Sequence, residues 1–300
     1  MRLINLALTL SLLVVAGCQS MSTSTEPMTV KHVKVNDGEV GYVEEGSGVT
    51  VLFVHGAGGD WRTWEGMRRY VSPRYRFVSM SRRYHFPNAW TDDGRQYTLD
   101  QHVEDVAAFI RAMNVGKVHL VGNSYSGRLV GYVALRHPEL LRSIVLGEPS
   151  LAAPSSSEGK LAIARFSKDL GLASAAAKSG DDKQATVLTV NAVLDDPDAF
   201  AKLTPSLQQR WLDNAKTMGP MFSGRPPAAV TCEQLKSLTV PALAIRGERT
   251  RDSYRYGHDA LLACLPQSTA AAVIPGGTHF WAIDDPDAAA AAILSFISKH

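Results

Sequence analysis

The sequence predicts an α/β protein built on a doubly wound, mostly parallel eight-stranded sheet with a helical cap inserted in it. Three observations predict this. Short continuous apolar runs recur along the chain, as expected for strands buried on both faces. Amphipathic or alanine-rich stretches of helical spacing separate them. One interval, residues 150–236, breaks the alternation and carries helical pieces with Pro, Gly and Ser punctuation. The chain has 300 residues, 45% hydrophobic and 20% charged, enough for a full core. A formal net charge of +2 comes from scattered Lys and Arg with no basic stripe, so nucleic acid is not an expected partner.

Taken in order, Arg2 precedes the apolar run LINLALTLSLLVVAG, which has the length of a signal-peptide core and is short for a membrane span. It ends in Val15-Ala16-Gly17-Cys18, and small residues before a Cys resemble the lipobox of bacterial lipoproteins. The resemblance implies cleavage before Cys18, lipidation of that residue and a membrane anchor through it. Gln19 then implies the bacterial cell envelope, at the periplasmic face of the outer membrane. Residues 19–29, rich in Ser and Thr, read as a flexible tether. The remaining cysteines, Cys232 and Cys264, are expected as two unpaired buried thiols, although a disulfide is open to them in an oxidising compartment.

The core is assigned to 30–149 and 237–300. VKHVKV and EVGYVEE flank Asp37-Gly38 and predict an antiparallel hairpin. VTVLFVH (49–55), YRFVSMS (75–81), KVHLVG (117–122), RSIVLGE (142–148), VPALAIRG (240–247) and TAAAVIP (269–275) predict the parallel strands. LDQHVEDVAAFIRAM (99–113) places Leu99, Val103, Val106, Phe109 and Ile110 on one helical face. Within the cap only Val187 to Val190 reads as a brief β-like run.

A serine between a strand ending at Gly122 and a helix starting near Tyr125 must sit on a tight turn. Gly122 and Ser126, small residues on either side of Ser124, make that turn possible. The helix N-terminus aims its amides at the same spot, where a negative oxygen is stabilised. Gly122-Asn-Ser-Tyr-Ser-Gly127 thereby resembles the nucleophile elbow of the α/β-hydrolase fold family, in its serine hydrolase branch. The departure is Ser126, where the family pattern has glycine.

The likeness extends to His55-Gly56-Ala57-Gly58-Gly59, similar to the family's oxyanion loop, which implies backbone N–H donors at Ala57 and at Tyr125. A serine hydroxyl needs a base, and His279 in IPGGTHFWAIDDPDA matches the family's late histidine loop. His55 is the competitor, but in similar proteins it supports the oxyanion loop. The other histidines, His85 and His102 among them, read as surface or satisfied interior residues. The acid is open between two carboxylates. The family's usual position falls on Thr250, leaving Asp252 two residues late, whereas Glu148 ends the strand RSIVLGE, where some members carry their acid; Glu148 is favoured.

The resemblance implies a carboxylesterase-like serine hydrolase (EC 3.1.1) that forms an acyl-enzyme on a small-molecule ester or related acyl substrate. A serine at the elbow argues against the dehalogenase and epoxide hydrolase branches, which place a carboxylate there. Phe166, Trp211, Met218, Met221 and Phe222 are candidates for an apolar acyl pocket, half-buried helical core being their commoner fate. No metal or organic cofactor is expected, since no His/Cys cluster or nucleotide loop is present. The alternative reading is a non-catalytic ligand- or partner-binding lipoprotein of the envelope.

Overall fold

The computed structural model describes residues 27–225 and 227–300. The apolar N-terminal run, Cys18 and the tether up to residue 26 lie outside them. The tether's last residues do not: Met28 already packs against the core.

The sheet has eight strands in the order β1-β2-β4-β3-β5-β6-β7-β8. β1 (Lys31–Val35) and β2 (Gly38–Glu45) form the antiparallel hairpin, its turn made with Asn36 at φ 52°, a left-handed conformation that Asn tolerates. β3 (Thr50–Val54), α1 (Arg68–Val71), β4 (Arg76–Met80), α2 (Leu99–Met113), β5 (Val118–Asn123), α3 (Tyr125–Arg136) and β6 (Leu141–Gly147) follow. β2 pairs antiparallel with β4, and every later pairing is parallel.

Alternation along the central strands divides the core into two layers, because successive side chains point to opposite faces. Leu52, Val54, Val78, Met80 and Leu120 join α2 and α3 on one face. Val51, Phe53, Phe77, Val121 and Val145 join Trp64, Trp281 and Ile293 on the other. α2 forms where its pattern predicts: Thr98 caps the start by accepting from the Gln101 amide, and Asn114 at φ 49° ends it.

Between β6 and β7 the chain is helical: α4 (Ser157–Lys178), α5 (Asp182–Leu194), α6 (Ala199–Lys202), α7 (Pro205–Asp213), α8 (Met218–Ser223) and α9 (Cys232–Lys236). The β-like run at Val187 to Val190 is therefore a turn of α5, not a strand. A short apolar run is compatible with either element, and the Asp181 cap on the Gln184 amide together with burial against α4 and α8 makes it helix. Ala177, Ala185 and Met218 form a small cap core, with Met221 and Phe222 packed on it.

β7 (Ala242–Gly247), α10 (Asp252–Cys264), β8 (Ala270–Ile274), α11 (Trp281–Asp284) and α12 (Pro286–Ile297) complete the fold. β8 is an edge strand, and Ala271 and Val273 are exposed rather than buried on a covered second face. Cys232 and Cys264 are not free thiols: they form a disulfide with their Cα atoms 4.9 Å apart, and both are half-exposed. The bond joins the first residue of α9 to the last of α10, a juxtaposition created by packing and invisible in a spacing of 32 residues. No helix among the described residues is long and apolar enough to cross a membrane.

Candidate active site

Ser124 stands between β5 and α3 at φ 60°, ψ −122°, a conformation that costs an L-residue on the order of 1–3 kcal/mol and persists only when its surroundings enforce it. They do. The Ser124 amide donates to the Gly147 carbonyl at 2.8 Å. A Cβ on Gly122 would lie 2.5 Å from the Ser126 carbonyl oxygen, and one on Gly127 would lie 2.4 Å from the Gly147 oxygen, so strand and helix close up only with glycine at both. Ser126, the departure from the family pattern, has a clear place. Its buried hydroxyl accepts from the Asn123 amide at 3.0 Å and donates to the Val54 carbonyl at 2.6 Å, pinning the elbow to the end of β3.

Asn123 couples this elbow to the histidine loop, since its Nδ2 donates to the His279 carbonyl and its Oδ1 accepts from Trp281 Nε1, both at 3.0 Å. His279 is 2% exposed, and its Nδ1 is hydrogen-bonded to Glu148 Oε2. Glu148, also buried, accepts in addition from the Gly247 amide at 2.8 Å and the Thr250 hydroxyl at 2.9 Å. Such donors hold a carboxylate in one orientation and replace the water it has lost. Asp252 is elsewhere: it lies exposed on the first turn of α10 and pairs with Arg255 at 2.8 Å. The structure thus brings Glu148 to His279 and leaves Asp252 apart, while Thr250, at the position of the family's usual acid, serves as a donor to Glu148. His279 Nε2 is buried and has no hydrogen-bond partner among the described residues.

Ser124 and His279 line one cavity, with Ala57 and Trp211 also in its wall. Gly56 presses against the serine, a Cβ there falling 3.3 Å from Ser124 Cβ. Gly58, at φ 60°, is the only residue type that fits, because a Cβ would fall 2.2 Å from Trp211 Cζ3. Among the described residues neither the Ala57 nor the Tyr125 amide donates to another backbone group, which leaves both N–H groups available. His55 accepts from the Arg82 amide at Nε2 (2.9 Å) and donates from Nδ1 to the Gly56 carbonyl (2.9 Å). Burial, aided by Arg82, holds its pKa well below the ordinary histidine value, so it is a neutral brace for the loop.

Of the cap residues singled out from sequence, Trp211 reaches the cavity wall, stacked 5.8 Å from Phe280. Met218, Met221 and Phe222 belong to the cap core, and Phe166 packs on Tyr254. Tyr254 itself gave no sequence signal. Its ring lies parallel to His279, centroids 3.8 Å apart and 11° between planes, and its hydroxyl interacts with the Ser124 side chain. Burial, then the Glu148 carboxylate, raises the phenol pKa far above its usual value, so it is a neutral neighbour of the serine. His85 is a satisfied interior residue, as expected: Nδ1 donates to the Gly59 carbonyl at 2.7 Å and Nε2 is bonded to the Tyr97 hydroxyl at 3.2 Å, which braces the glycine loop. Among the described residues no group of three or more His, Cys, Asp or Glu side chains is arranged to hold a metal ion.

Fold and site together have the architecture of the α/β-hydrolase class. The model of the alpha/beta hydrolase family matches residues 51–292, and the chain belongs to that family. The 2-hydroxy-6-oxo-6-(2'-aminophenyl)hexa-2,4-dienoic acid hydrolase of Metapseudomonas resinovorans is 34% identical over 118 residues, 37% of this chain and 40% of that protein. The pyrrolizixenacetamide deacetylase of Xenorhabdus hominickii is 32% identical over 115 residues, 38% of this chain and 42% of that protein. The chain thus matches about 40% of the length of these curated relatives. The carboxylesterase CesB of Bacillus subtilis superposes with a TM-score of 0.72 at 17% identity, over 92% of this chain and 93% of that one, a likeness of fold.

Proposed function

We propose that this chain is a serine hydrolase that cleaves a neutral carboxylic ester or related acyl bond through a Ser124–His279–Glu148 triad and an acyl-enzyme. Ser124 Oγ attacks the acyl carbon as its proton passes to His279 Nε2, and the carbonyl π electrons collect on oxygen facing the Ala57 and Tyr125 amides. Collapse of this intermediate returns the proton to the departing alcohol. Water then repeats the sequence on the acyl-enzyme and releases the acid. Glu148 fixes the Nδ1–H tautomer and stabilises the imidazolium.

The observation that carries this reading is the shared cavity. Its wall holds a strained serine and an imidazole whose Nδ1 is tied to a buried carboxylate and whose Nε2 has no partner among the described residues. Apolar side chains, Val193, Leu207, Trp211, Phe280 and Ile283, make up much of the remaining wall. The cation in that wall, Arg210, is already engaged by the Arg62 carbonyl at 3.0 Å and Glu65 at 3.1 Å. An uncharged acyl group therefore suits the pocket better than an anionic one. Hydrolysis of p-nitrophenyl esters of rising chain length tests this, with Ser124→Ala as control. Turnover of neutral acyl chains, abolished by the substitution, is expected; a folded protein inert towards all of them favours the non-catalytic binding reading. A lipid anchor at Cys18, holding the enzyme in the cell envelope, belongs to the same proposal. Metabolic labelling with an alkynyl fatty acid, lost in Cys18→Ser, tests it.

A further inference from the structure

Behind the oxyanion-type loop lies a cation that the triad does not use. Arg82, two residues past the end of β4, is 1% exposed. Its guanidinium donates from Nε to the His55 carbonyl (3.2 Å) and from Nη2 to the Gly56 carbonyl (2.9 Å), and both terminal nitrogens lie 3.4 Å from the Tyr97 hydroxyl. Its Cζ stands 4.4 Å from the centroid of the Tyr125 ring. Among the described residues it forms no ion pair, and the carboxylates of this region are taken by its sequence neighbours and others: Asp105 by Arg83 and Asp60 by Arg62. The titratable groups around it, His55, His85 and His102, are neutral, each held well below the ordinary histidine range by burial and then by this cation. A guanidinium withdrawn from water with no counter-charge is costly to keep, so the lack of a counter-charge among the described residues calls for an explanation.

Two of its contacts supply one. The Gly56 carbonyl and the Ala57 N–H are opposite ends of one planar trans peptide. A cation on the oxygen fixes that peptide, directs the N–H to the side away from Arg82, and polarises it into a stronger donor. The other contact is the ring of Tyr125, whose amide is the second donor. We infer that Arg82 is a positioning residue for the oxyanion hole: it sets and polarises the Gly56–Ala57 peptide, and its buried charge is balanced only when the carbonyl oxygen of the substrate becomes anionic. A field of this kind acts on the transition state and not on the neutral ester, so it raises kcat without tightening substrate binding. The inference rests on the hydrolase reading of Ser124.

The test compares Arg82→Gln, Arg82→Lys and Ser124→Ala in the full chain. Three readouts are taken: kcat and KM for a p-nitrophenyl ester, inhibition by a trifluoromethyl ketone, which adds to serine as an oxyanion, and inhibition by the matching alcohol, which stays neutral. Arg82→Gln is expected to lower kcat about 10²–10³-fold with KM within about threefold. It should weaken the trifluoromethyl ketone by a similar factor and leave the alcohol unchanged. Arg82→Lys, which keeps the charge and loses the fork, should fall between Gln and wild type. Should the Gln variant not fold, the Lys variant decides by the same pair of inhibitors. A kcat within threefold of wild type, or equal losses of affinity for both inhibitors, overturns the inference, because a merely structural role does not distinguish a charged adduct from a neutral ligand. Turnover persisting in Ser124→Ala sinks the hydrolase reading and this inference together. Turnover lost in Ser124→Ala but kept in Arg82→Gln sinks the inference alone.

Discussion

The two sides of Ser124 are built with opposite charge. On one side the buried Glu148 carboxylate holds His279, and Tyr254 lies flat against the imidazole. On the other, the loop from His55 to Gly59 rests on the Arg82 guanidinium and on neutral histidines, with no carboxylate among the described residues paired to the cation. Acyl transfer through serine creates an imidazolium and an oxyanion at once. Each half carries the charge that suits one member of that pair, and both are buried, where such fields are screened least. The lesson is that the serine is only the meeting point: the polarity around it comes from Glu148 and Arg82, neither of which lines the cavity.

The sharpest way to break the negative half is Glu148→Gln, which keeps the shape and removes the charge. Its kcat for an active ester should fall about 10²–10⁴-fold, while Asp252→Asn stays within about twofold. The reverse order would move the acid to Asp252.

A second break separates the site from its frame. The disulfide closes a loop of 32 residues between α9 and the helix that carries Tyr254. Cys232→Ser with Cys264→Ser should lower stability by about 2–4 kcal/mol in urea unfolding while kcat at low temperature changes less than about twofold. A large kcat loss in the folded variant would mean that the bond holds the site in register.

Tyr254 allows a finer comparison within the negative half. Tyr254→Phe keeps the ring on His279 and removes the hydroxyl beside Ser124, whereas Tyr254→Leu removes both. Leu is expected to lose about tenfold in kcat and Phe no more than about threefold. Equal losses would assign the effect to the hydroxyl.

A last comparison concerns pH and the buried histidines, three of which stand in the positive half. His55, His85 and His102 are neutral in the fold, and burial brings His119 down to about 4. The unfolded chain takes up these protons near the ordinary histidine pKa of about 6.5, so it binds more protons than the native state below that pH. Stability from these groups is complete above about pH 6.5 and is lost as pH falls towards their native values. The Tm should decline between pH 7 and pH 5. A flat or opposite trend, with ionic strength fixed, would show that these histidines are charged in the native protein.

Much of this was legible in the sequence where the signal is local. The elbow at Gly122 to Gly127 and the glycine loop after His55 are turns whose residues are dictated by backbone approach, and continuous apolar runs marked the central strands as buried on both faces. The rest depends on what tertiary packing brings together. Glu148 and Thr250 are adjacent only because β6 and β7 are neighbours in the sheet. The disulfide needs α9 beside the end of α10, and Val187 to Val190 became helix because α4 and α8 cover it. Arg82 and Tyr254 carry no turn or spacing signature at all. An arginine after a strand reads as surface until the loop it supports is seen above it.

The most direct test of the central claim is the rate at which a fluorophosphonate labels the protein, followed by intact mass and peptide mapping. A single adduct on Ser124 is expected, formed slowly in Glu148→Gln, at the wild-type rate in Asp252→Asn, and not at all in Ser124→Ala. Labelling at another residue, or a folded wild-type protein that takes up no label, would contradict the account.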